Sequence, residues 1–396
     1  MRRVYLDHAA STPLREEARS AMLAALDVTG NASSLHGSGR HARALLEDAR
    51  EQLADALDAH PGEVVFTGGG TEADHLLVSG AAALGETTGR PRVAASTVEH
   101  PAVAHAVRAL GERAVWLPVD RAGVLRASGL AQLTRDVAWA SVMWANNETG
   151  ALQPIGSFVQ ACRRAGVRAH SDAVQAFGHV PVSFADSGLD ALTVSAHKLG
   201  GPVGVGALVL RRDAPLAVVS HGGGQERRLR SGTVPVALAV GFAVAAAAAV
   251  AALAQEGPRL ARLREVLVAG LTRVEGVRVN GPADVSPSIC HVTVDGVRAD
   301  DVLLLLDAAG IDCSTGSACT AGVAELQQQR AADGHLRGHA KLVHQVVVAH
   351  RVDEGLLHRA IGNDSLLDQP VDEIHVPKFA QQGSIEADLV DPACNF

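Results

Sequence analysis

Lysine is almost missing from this sequence. Only three of its 35 basic residues are lysines, and Lys198 is the single lysine in the first 340 residues. A bias toward arginine explains the scarcity, but it does not explain why Lys198 remains. Arginine stays protonated in proteins, whereas a desolvated lysine can lose its proton and act as a nucleophile. Lys198 is therefore a candidate for chemistry that needs an amine.

Cysteine and net positive charge are also in short supply. Five cysteines in 396 residues cannot form a disulfide framework, which favours a reducing, cytoplasmic location. The net charge of −8 disfavours a basic nucleic-acid binder, so we expect no direct nucleic-acid partner. The N-terminus lacks the apolar core of a signal peptide. The hydrophobic share of 47% is ordinary for a globular protein.

One uncharged run, Val234 to Ala254, is long enough to cross a bilayer. It consists mostly of alanine, which is only weakly hydrophobic, and Pro235 near its start suits the beginning of a helix. We interpret the run as a buried core helix and expect no membrane association.

Residues 42–212 alternate between helical and strand-like patterns, which predicts an α/β fold with a mainly parallel sheet covered on both faces. The helical patterns include His41–Leu57 and Thr71 to about Leu84. Ligands bind such sheets at the carboxyl ends of the strands. The predicted strands are Glu63–Thr67, Arg92–Ser96, Ala114–Val119, Ala138–Trp144, Val167–His170, Ala191–Ser195 and Val205–Leu210.

A smaller unit follows the long apolar helix, which we expect to end near Gln255 because Gly257 and Pro258 break helices. It contains a helix at 259–272, a strand at Ser288–Val294 and a helix at Ala299–Ala309. We predict a large domain at 15–256 and a smaller α+β domain built from 1–14 and 257–396. Residues 325–396 are atypical in composition.

Three motifs, each following a predicted strand, supply what pyridoxal phosphate (PLP) requires. Gly70 and Thr71 lie in a glycine turn before a helix, where free N–H groups hold phosphate, although a plain tight turn gives the same pattern. Asp172 could pair with a pyridinium nitrogen or cap a helix. Ser195 and His197 could reach an anion beside the Lys198 amine.

Other polar residues are weaker candidates. His100 could stack on a flat ring, although a lone histidine is more often structural. Asn147 could bond a phenolic oxygen, although its motif is also typical of a turn. Cys319 lies in a loop of small residues, a setting where a thiolate can react. Cys313 and Cys319 lack the paired spacing of metal ligands, so we expect no metal site. The remaining cysteines considered, Cys162, Cys290 and Cys313, have structural settings.

These motifs, in this order, resemble the cysteine desulfurases of the NifS/IscS type, which have the class V aminotransferase fold, PLP fold type I. The resemblance covers about residues 4–325, and the Gly-Ser-Ala-Cys loop is similar to the IscS branch. The matching runs are 5–13, 30–36, 66–72, 99–103, 146–150, 172–175, 195–202, 222–226, 230–233 and 315–319.

The resemblance implies a role for each matching residue. Lys198 forms a Schiff base with PLP, Asp172 holds the pyridine nitrogen, and His100 stacks on the ring and serves in acid–base steps. Gln175 and Asn147 contact the phenolic oxygen or the substrate. Cys319 accepts sulfur from L-cysteine as a persulfide, and L-alanine is released. The phosphate is bound by Gly70, Thr71, Ser195 and His197, and by Thr233 of the other subunit in a homodimer.

The resemblance also implies partners, namely iron–sulfur scaffolds and other sulfur-acceptor proteins, with sulfur supplied for iron–sulfur cluster assembly and tRNA thiolation.

The resemblance stops after about Ala324. The later run that supplies an arginine for the substrate carboxylate is missing, and family spacing would put that arginine near Gln345. The tail is either an altered reading frame or fusion junction, or a divergent end with another carboxylate contact. Two alternatives to an active desulfurase stay open: a selenocysteine or other C–S lyase, and a PLP-binding protein with impaired turnover.

Overall fold

The computed structural model describes residues 3–316 and the strand at 344–349. Its strands in chain order are β1 Val4–Tyr5, β2 Val64–Thr67, β3 Arg92–Ser96, β4 Ala114–Leu117, β5 Val137–Ser141, β6 Arg168–Asp172, β7 Ala191–Ser195, β8 Gly206–Leu210, β9 Val277–Asn280, β10 Ile289–Val294, β11 Ile311–Asp312 and β12 His344–Ala349. The α-helices are α1 Glu16–Leu26, α2 Gly37–Leu57, α3 Gly70–Thr88, α4 Pro101–Arg108, α5 Ala127–Leu130, α6 Ile155–Ala165, α7 Phe184–Ser187, α8 Val236–Leu271 and α9 Ala299–Ala308.

Seven strands form the main sheet in the order β2-β8-β7-β6-β5-β3-β4. Strand β8 pairs antiparallel with both its neighbours, and the other pairs are parallel. All residues of β5, β7 and β8 are buried, as expected for a sheet covered on both faces. The predicted α/β fold with a mainly parallel seven-stranded sheet is confirmed.

The two faces of the sheet carry separate apolar clusters. One contains α2, α6 and α8, with Leu53, Phe158 and Phe242 among its buried residues. The other contains α3 and α4, with Leu77 and Val103 buried. This sandwich fixes the carboxyl ends of the central strands, and it therefore positions the loops that carry the predicted site.

Smaller sheets lie outside the main one. Strands β9, β10 and β12 form an antiparallel sheet in the order β12-β10-β9, while β1 pairs in parallel with β11. The predicted domain boundary between residues 256 and 257 stays a prediction.

The prediction that the apolar helix ends near Gln255 is wrong. Helix α8 continues through Pro258 to Leu271 and packs against α1 and α2. Proline removes the hydrogen bond to the Ala254 carbonyl, and its ring crowds that carbonyl. Packing beyond the proline offsets that loss, because Leu267 and Val268 join the apolar cluster around β10 and the Arg264 side chain donates to the Ile289 carbonyl at 2.9 Å.

The same helix is, within the described ranges, the one whose length and composition would allow it to cross a membrane. Such a helix is weak evidence of a span, because core helices of soluble proteins pass the same test. Ala239, Phe242, Ala243, Ala246 and Ala249 of α8 are buried, in keeping with the core helix that its alanine content predicts.

Three strands end at other residues than predicted, and one of them, β5, ends at Ser141 rather than at Trp144. Strand β4 stops at Leu117 rather than Val119, because Pro118 has no N–H to offer a ladder. Strand β6 continues past His170 to Asp172, since His170, Ser171 and Asp172 pair with β7 along their backbone. Asp172 is thus the last residue of its strand rather than part of a following loop.

Candidate active site

A cavity that is partly open to solvent lies at the carboxyl ends of β6 and β7. Among the described residues, every predicted site residue except Thr233 lines it. They are Gly70, Thr71, His100, Asn147, Asp172, Gln175, Ser195, His197 and Lys198. Sequence reasoning missed several other lining residues, among them Ala9, Ala10, Asp74 and Met143. Side chains separated by more than 180 residues in sequence are therefore brought together.

Lys198 lies in a short 3-10 turn directly after β7. Its Nζ donates to the carbonyl of Ala9 and, at 3.0 Å, to that of Ala10. Its backbone carbonyl accepts bonds from Thr12 Oγ1 at 3.1 Å and from His179 Nε2 at 3.0 Å. These contacts hold both ends of the lysine, and they explain why the N-terminal segment belongs to the site.

Asp172 faces the cavity from the end of β6 and is buried. One of its carboxylate oxygens accepts the N–H of Val174 at 2.9 Å. Desolvation raises the pKa of the Asp172 carboxyl, while the Lys198 charge lowers it. Burial raises the pKa of Asp74 well above its usual range, and repulsion from Asp172 adds to that shift.

The loop between β2 and α3 is built for close backbone approach. Gly69 has φ +147°, a conformation that side-chain-bearing residues rarely adopt. A Cβ on Gly70 would lie 2.9 Å from Val174 Cγ2. The N-terminus of the 19-residue α3 begins at Gly70, so its free N–H groups and positive dipole end meet the cavity. Ser195 and His197 border the same cavity.

His100 caps helix α4, where its Nδ1 accepts the N–H of Ala102 at 3.2 Å. Burial, with smaller contributions from the Lys198 and His105 charges, lowers the pKa of His100 to about 4. Burial and the Lys198 charge lower the pKa of His197 to about 4. Both rings are therefore neutral near neutral pH.

Two amide side chains complete the wall. Gln175 Nε2 donates to the Ala9 carbonyl at 2.8 Å. Asn147 is buried with no hydrogen-bond partner for its Oδ1. The Asn147 loop is held by Asn146, whose Oδ1 accepts the N–H groups of Glu148 and Thr149 at 3.0 and 2.8 Å.

One predicted site residue, Thr233, does not line this cavity, and another lies outside the described residues. Thr233 is exposed, in a loop whose Arg230 bonds Glu72 at the start of α3 at 2.9 Å. Cys319 lies outside the described residues. Of the other cysteines considered, Cys162, Cys290 and Cys313 are buried. Burial raises the pKa of the Cys290 and Cys313 thiols to about 11 and that of Cys162 still higher.

Comparison with known proteins shows the family of the chain. The family model for class-V aminotransferases matches residues 4–337. The chain is 49% identical to an IscS-like cysteine desulfurase of Mycobacterium tuberculosis, over 81% of this chain and 85% of the relative. It is 39% identical to cysteine desulfurase IscS of Dictyoglomus turgidum, over 82% and 84%. A solved NifS-like protein superposes with a TM-score of 0.82 at 32% identity, covering 90% of this chain and 96% of that one.

This chain belongs to the class-V aminotransferase family, in its IscS/NifS-like cysteine desulfurase group. The family is PLP-dependent, so the predicted cofactor is confirmed. The family match extends to residue 337, thirteen residues beyond Ala324, near which the resemblance in the sequence stops.

The cavity fits this family's cofactor. A ring nitrogen would find the buried Asp172 carboxylate, and a phosphate would find the helix terminus at Gly70 and Thr71. The unpartnered Asn147 Oδ1 offers a hydrogen-bond position for a group in the cavity. The Lys198 amine borders the same space.

Proposed function

We propose that this member of the class-V aminotransferase family is a PLP-dependent cysteine desulfurase that moves sulfur from L-cysteine to Cys319 and releases L-alanine. The observation that carries the proposal is the placement of Lys198. The only lysine in the first 340 residues borders the cavity. The same cavity contains a buried carboxylate and the N-terminus of a helix, where a phosphate can bind.

Each lining residue has a place around the cofactor. Lys198 would hold the aldehyde covalently, and Asp172 the ring nitrogen. Asn147 and Gln175 would contact the phenolic oxygen or the substrate. The phosphate would be held by Gly70, Thr71, Ser195 and His197, with Thr233 reaching the phosphate in the other subunit of a dimer. When bound, PLP supplies an electron sink for bonds at the substrate's alpha carbon.

His100 supplies a hydrogen-bond donor rather than a charge. Its Nδ1 already accepts the Ala102 N–H, so the neutral ring carries its proton on Nε2. The depressed pKa, about 4, keeps this tautomer neutral at neutral pH. His100 would therefore stack on the cofactor ring and offer the Nε2 proton in acid–base steps.

Cys319 is the proposed sulfur acceptor. Its thiolate attacks the substrate sulfur, the carbon–sulfur bond of cysteine breaks, and the remaining three-carbon fragment is protonated and leaves as alanine. The sulfur stays on Cys319 as a persulfide. No oxidant is needed, because the substrate carbon is reduced as the sulfur is oxidised.

The test is to purify the protein, record the visible cofactor absorbance, add L-cysteine, and measure alanine and the persulfide on Cys319 by mass spectrometry. Yellow protein that forms alanine and persulfide supports the proposal. Yellow protein that forms neither contradicts it. Faster turnover of selenocysteine than of cysteine would favour a selenocysteine lyase instead.

Replacing Lys198 with alanine should remove the covalent cofactor and its visible absorbance. The matched control is Lys378→Ala, which removes a lysine of the tail and should keep the colour. If Lys198→Ala protein still held PLP covalently after gel filtration, the assignment of this lysine would be wrong.

Replacing Cys319 with serine should abolish persulfide transfer while the PLP absorbance persists, because the cofactor residues lie elsewhere. Cys394→Ser is the matched control, as the same atom change in the same tail. Sulfur transfer that survived in Cys319→Ser and failed in Cys394→Ser would move the acceptor role to Cys394.

A second candidate is a PLP-binding protein with impaired turnover. The family match ends at residue 337, and the family's carboxylate-binding arginine would fall near Gln345, in strand β12. Losing a bidentate arginine weakens carboxylate binding, because charge-assisted pairs are the strong ones. Impaired turnover predicts a normal absorbance spectrum that L-cysteine does not change.

The biological setting is also part of the proposal. A desulfurase of this type would work as a cytoplasmic homodimer and pass sulfur to iron–sulfur scaffolds and other acceptor proteins, for cluster assembly and tRNA thiolation. Light scattering during gel filtration tests the dimer. A monomeric mass would exclude the role given to Thr233.

A further inference from the structure

A buried chain of hydrogen bonds runs behind the cavity wall, from Glu99 to Asp74. Glu99 Oε2 accepts from Ser141 Oγ at 3.3 Å, and Ser141 Oγ lies 2.9 Å from His170 Nδ1. His170 Nε2 lies 3.0 Å from Thr193 Oγ1, and Thr193 bonds the Asp74 carboxyl. All five side chains are buried.

The bonding capacities of these groups leave two self-consistent arrangements. A neutral histidine donates from one nitrogen and accepts at the other, and each hydroxyl donates one proton. If Glu99 is the anion, every donor points toward it and Asp74 must donate a proton to Thr193. If Asp74 is the anion, every bond reverses and Glu99 must carry the proton.

The surroundings of the two carboxyls differ. Glu99 Oε1 also accepts the Met143 N–H at 2.8 Å and the Ser96 hydroxyl at 2.5 Å, so Glu99 has three donors. Asp74 Oδ1 has no hydrogen-bond partner and lies 3.8 Å from His170 Nε2, too far for a bond. A buried carboxylate with several donors is stabilised, whereas one with an unpartnered oxygen is not.

The charges around Asp74 point the same way. Asp172 and His170 face Asp74 from β6, and Glu99 lies in the turn after β3. The negative charges of Asp172 and Glu99 raise the pKa of Asp74. Burial lowers the pKa of His170 to about 3, so the ring is neutral and supplies no counter-charge. The positive charge of Lys198 lowers the pKa of Asp172.

We infer that Asp74 is a positioning residue that holds a proton as a neutral carboxylic acid, while Glu99 at the far end of the chain holds the negative charge. Asp172 is then the single anion among the described residues that line the cavity. A second anion at Asp74 would compete with Asp172 for protons and for the cofactor ring. The inference rests on the proposed function only in the role given to Asp172.

The test is infrared difference spectroscopy on the holoenzyme at pH values above the Glu99 pKa, which burial raises to about 7. The wild-type spectrum minus that of Asp74→Asn should show the carbonyl stretch of one protonated carboxylic acid. Asparagine has the same shape and can donate the same bond to Thr193, so the variant should fold. A difference spectrum containing carboxylate bands instead would overturn the inference.

Glu99→Gln tests the chain at its other end. An amide at position 99 donates to Ser141, which reverses every bond and leaves Asp74 as the anion. The protonated-acid band of Asp74 should therefore vanish from a variant that does not touch Asp74. Persistence of the band would show that the two ends are not linked. Should Glu99→Gln fail to fold, Ser141→Ala cuts the same link and should shift the band.

A second readout concerns the cofactor. The pH midpoint of the visible absorbance should rise in Glu99→Gln, because the new charge at Asp74 adds to that of Asp172, and stay in place in Asp74→Asn. Equal midpoints in both variants would contradict the role of Asp74 beside Asp172. These spectra are readable even in a protein that releases no alanine, so failure of the desulfurase proposal is distinguishable.

Discussion

Side chains that line the cavity lose solvation because they are held in fixed positions, and His100 shows the consequence most directly. It is neutral because it is buried beside Lys198, and it is held by its bond to the Ala102 N–H. The ring is therefore placed without using a charge. A neutral buried histidine makes stability depend on pH.

We expect the free energy of unfolding to fall on acidification through the His100 titration. The folded pKa is about 4 against 6.5 for the free side chain, so between these values the unfolded chain binds a proton that the folded chain does not. Linkage then gives a loss approaching about 1.4 kcal/mol per pH unit in this window.

The measurement compares urea unfolding of the wild type and His100→Asn, since asparagine keeps a cap at this helix start. The stability advantage of the wild type should shrink as the pH falls from 6.5 toward 4. His60→Asn, at an exposed cap whose Nδ1 accepts the Gly62 N–H, is the matched control. A constant difference between wild type and His100→Asn would contradict the buried neutral state.

Secondary-structure elements around the site are joined by one buried ion pair. Arg50 of α2 makes two bonds of 2.7 Å to Glu226, and Glu226 also accepts the Phe66 N–H of β2 at 2.9 Å. The pair ties a helix, a strand and the loop of residues 222–230 together. That loop also carries Arg230, which bonds the start of α3.

Arg50→Met should destabilise the fold by about 3–5 kcal/mol, because it leaves the buried Glu226 carboxylate without its counter-ion. Arg278→Met is the matched control, since Arg278 and Asp295 form an exposed pair worth about 0–1 kcal/mol. Both values come from denaturant unfolding. Equal effects of the two substitutions would show that burial of the Arg50 pair is not what matters.

Helix α8 carries a proline in its interior, and replacing it should stabilise the protein. Pro258→Ala restores the hydrogen bond to the Ala254 carbonyl and should raise stability by up to about 3 kcal/mol. Gly257→Ala is the neighbouring control, with open space for its Cβ and an expected gain of about 1 kcal/mol. A loss of stability in Pro258→Ala would mean that the packed helix needs the distortion proline causes.

The same helix shows where sequence reasoning stops. The sequence correctly indicates that a proline destabilises a helix locally. The packing of Leu267 and Val268 against β10, however, involves residues distant in sequence. Strands β3 and β7 were predicted to the residue, because each is a short apolar run bounded by turns. Strands β1 and β9 and helix α1 gave no clear pattern and were missed.

The cavity shows the same division between local and distant information. Motifs after strands predicted eight of its residues, since a parallel sheet gathers such ends at one edge, and the family resemblance added Gln175. The Ala9 and Ala10 carbonyls were missed as contacts of Lys198, because backbone carbonyls leave no trace in residue identity. Asp74 was missed because its position in α3 resembles any polar helix position.

For the molecule as a whole, the described fold depends on a strand from beyond residue 316. Strand β12 pairs with all six residues of β10, whose Ile289, Cys290 and Val292 are buried. The described residues, 3–316 and 344–349, belong to one compact unit. The atypical tail thus contributes at least one strand to the smaller sheet.

A chain ending at Val352 should keep the cofactor absorbance and stay soluble, whereas a chain ending at Gly316 should aggregate. Without β12, the backbone edge of β10 is open for pairing with other chains. Light scattering and binding of a hydrophobic dye report the difference. Equal solubility of the two chains would show that β12 is dispensable.

The bonds from Lys198 to the Ala9 and Ala10 carbonyls also have a consequence for biosynthesis. The two carbonyls lie 189 and 188 residues before Lys198, so Lys198 is synthesised long after them. On the ribosome, residues 9 and 10 therefore emerge well before the residue that they contact. A nascent chain stopped before residue 198 has the phosphate loop but no lysine to capture an aldehyde, so covalent cofactor loading cannot precede synthesis of Lys198.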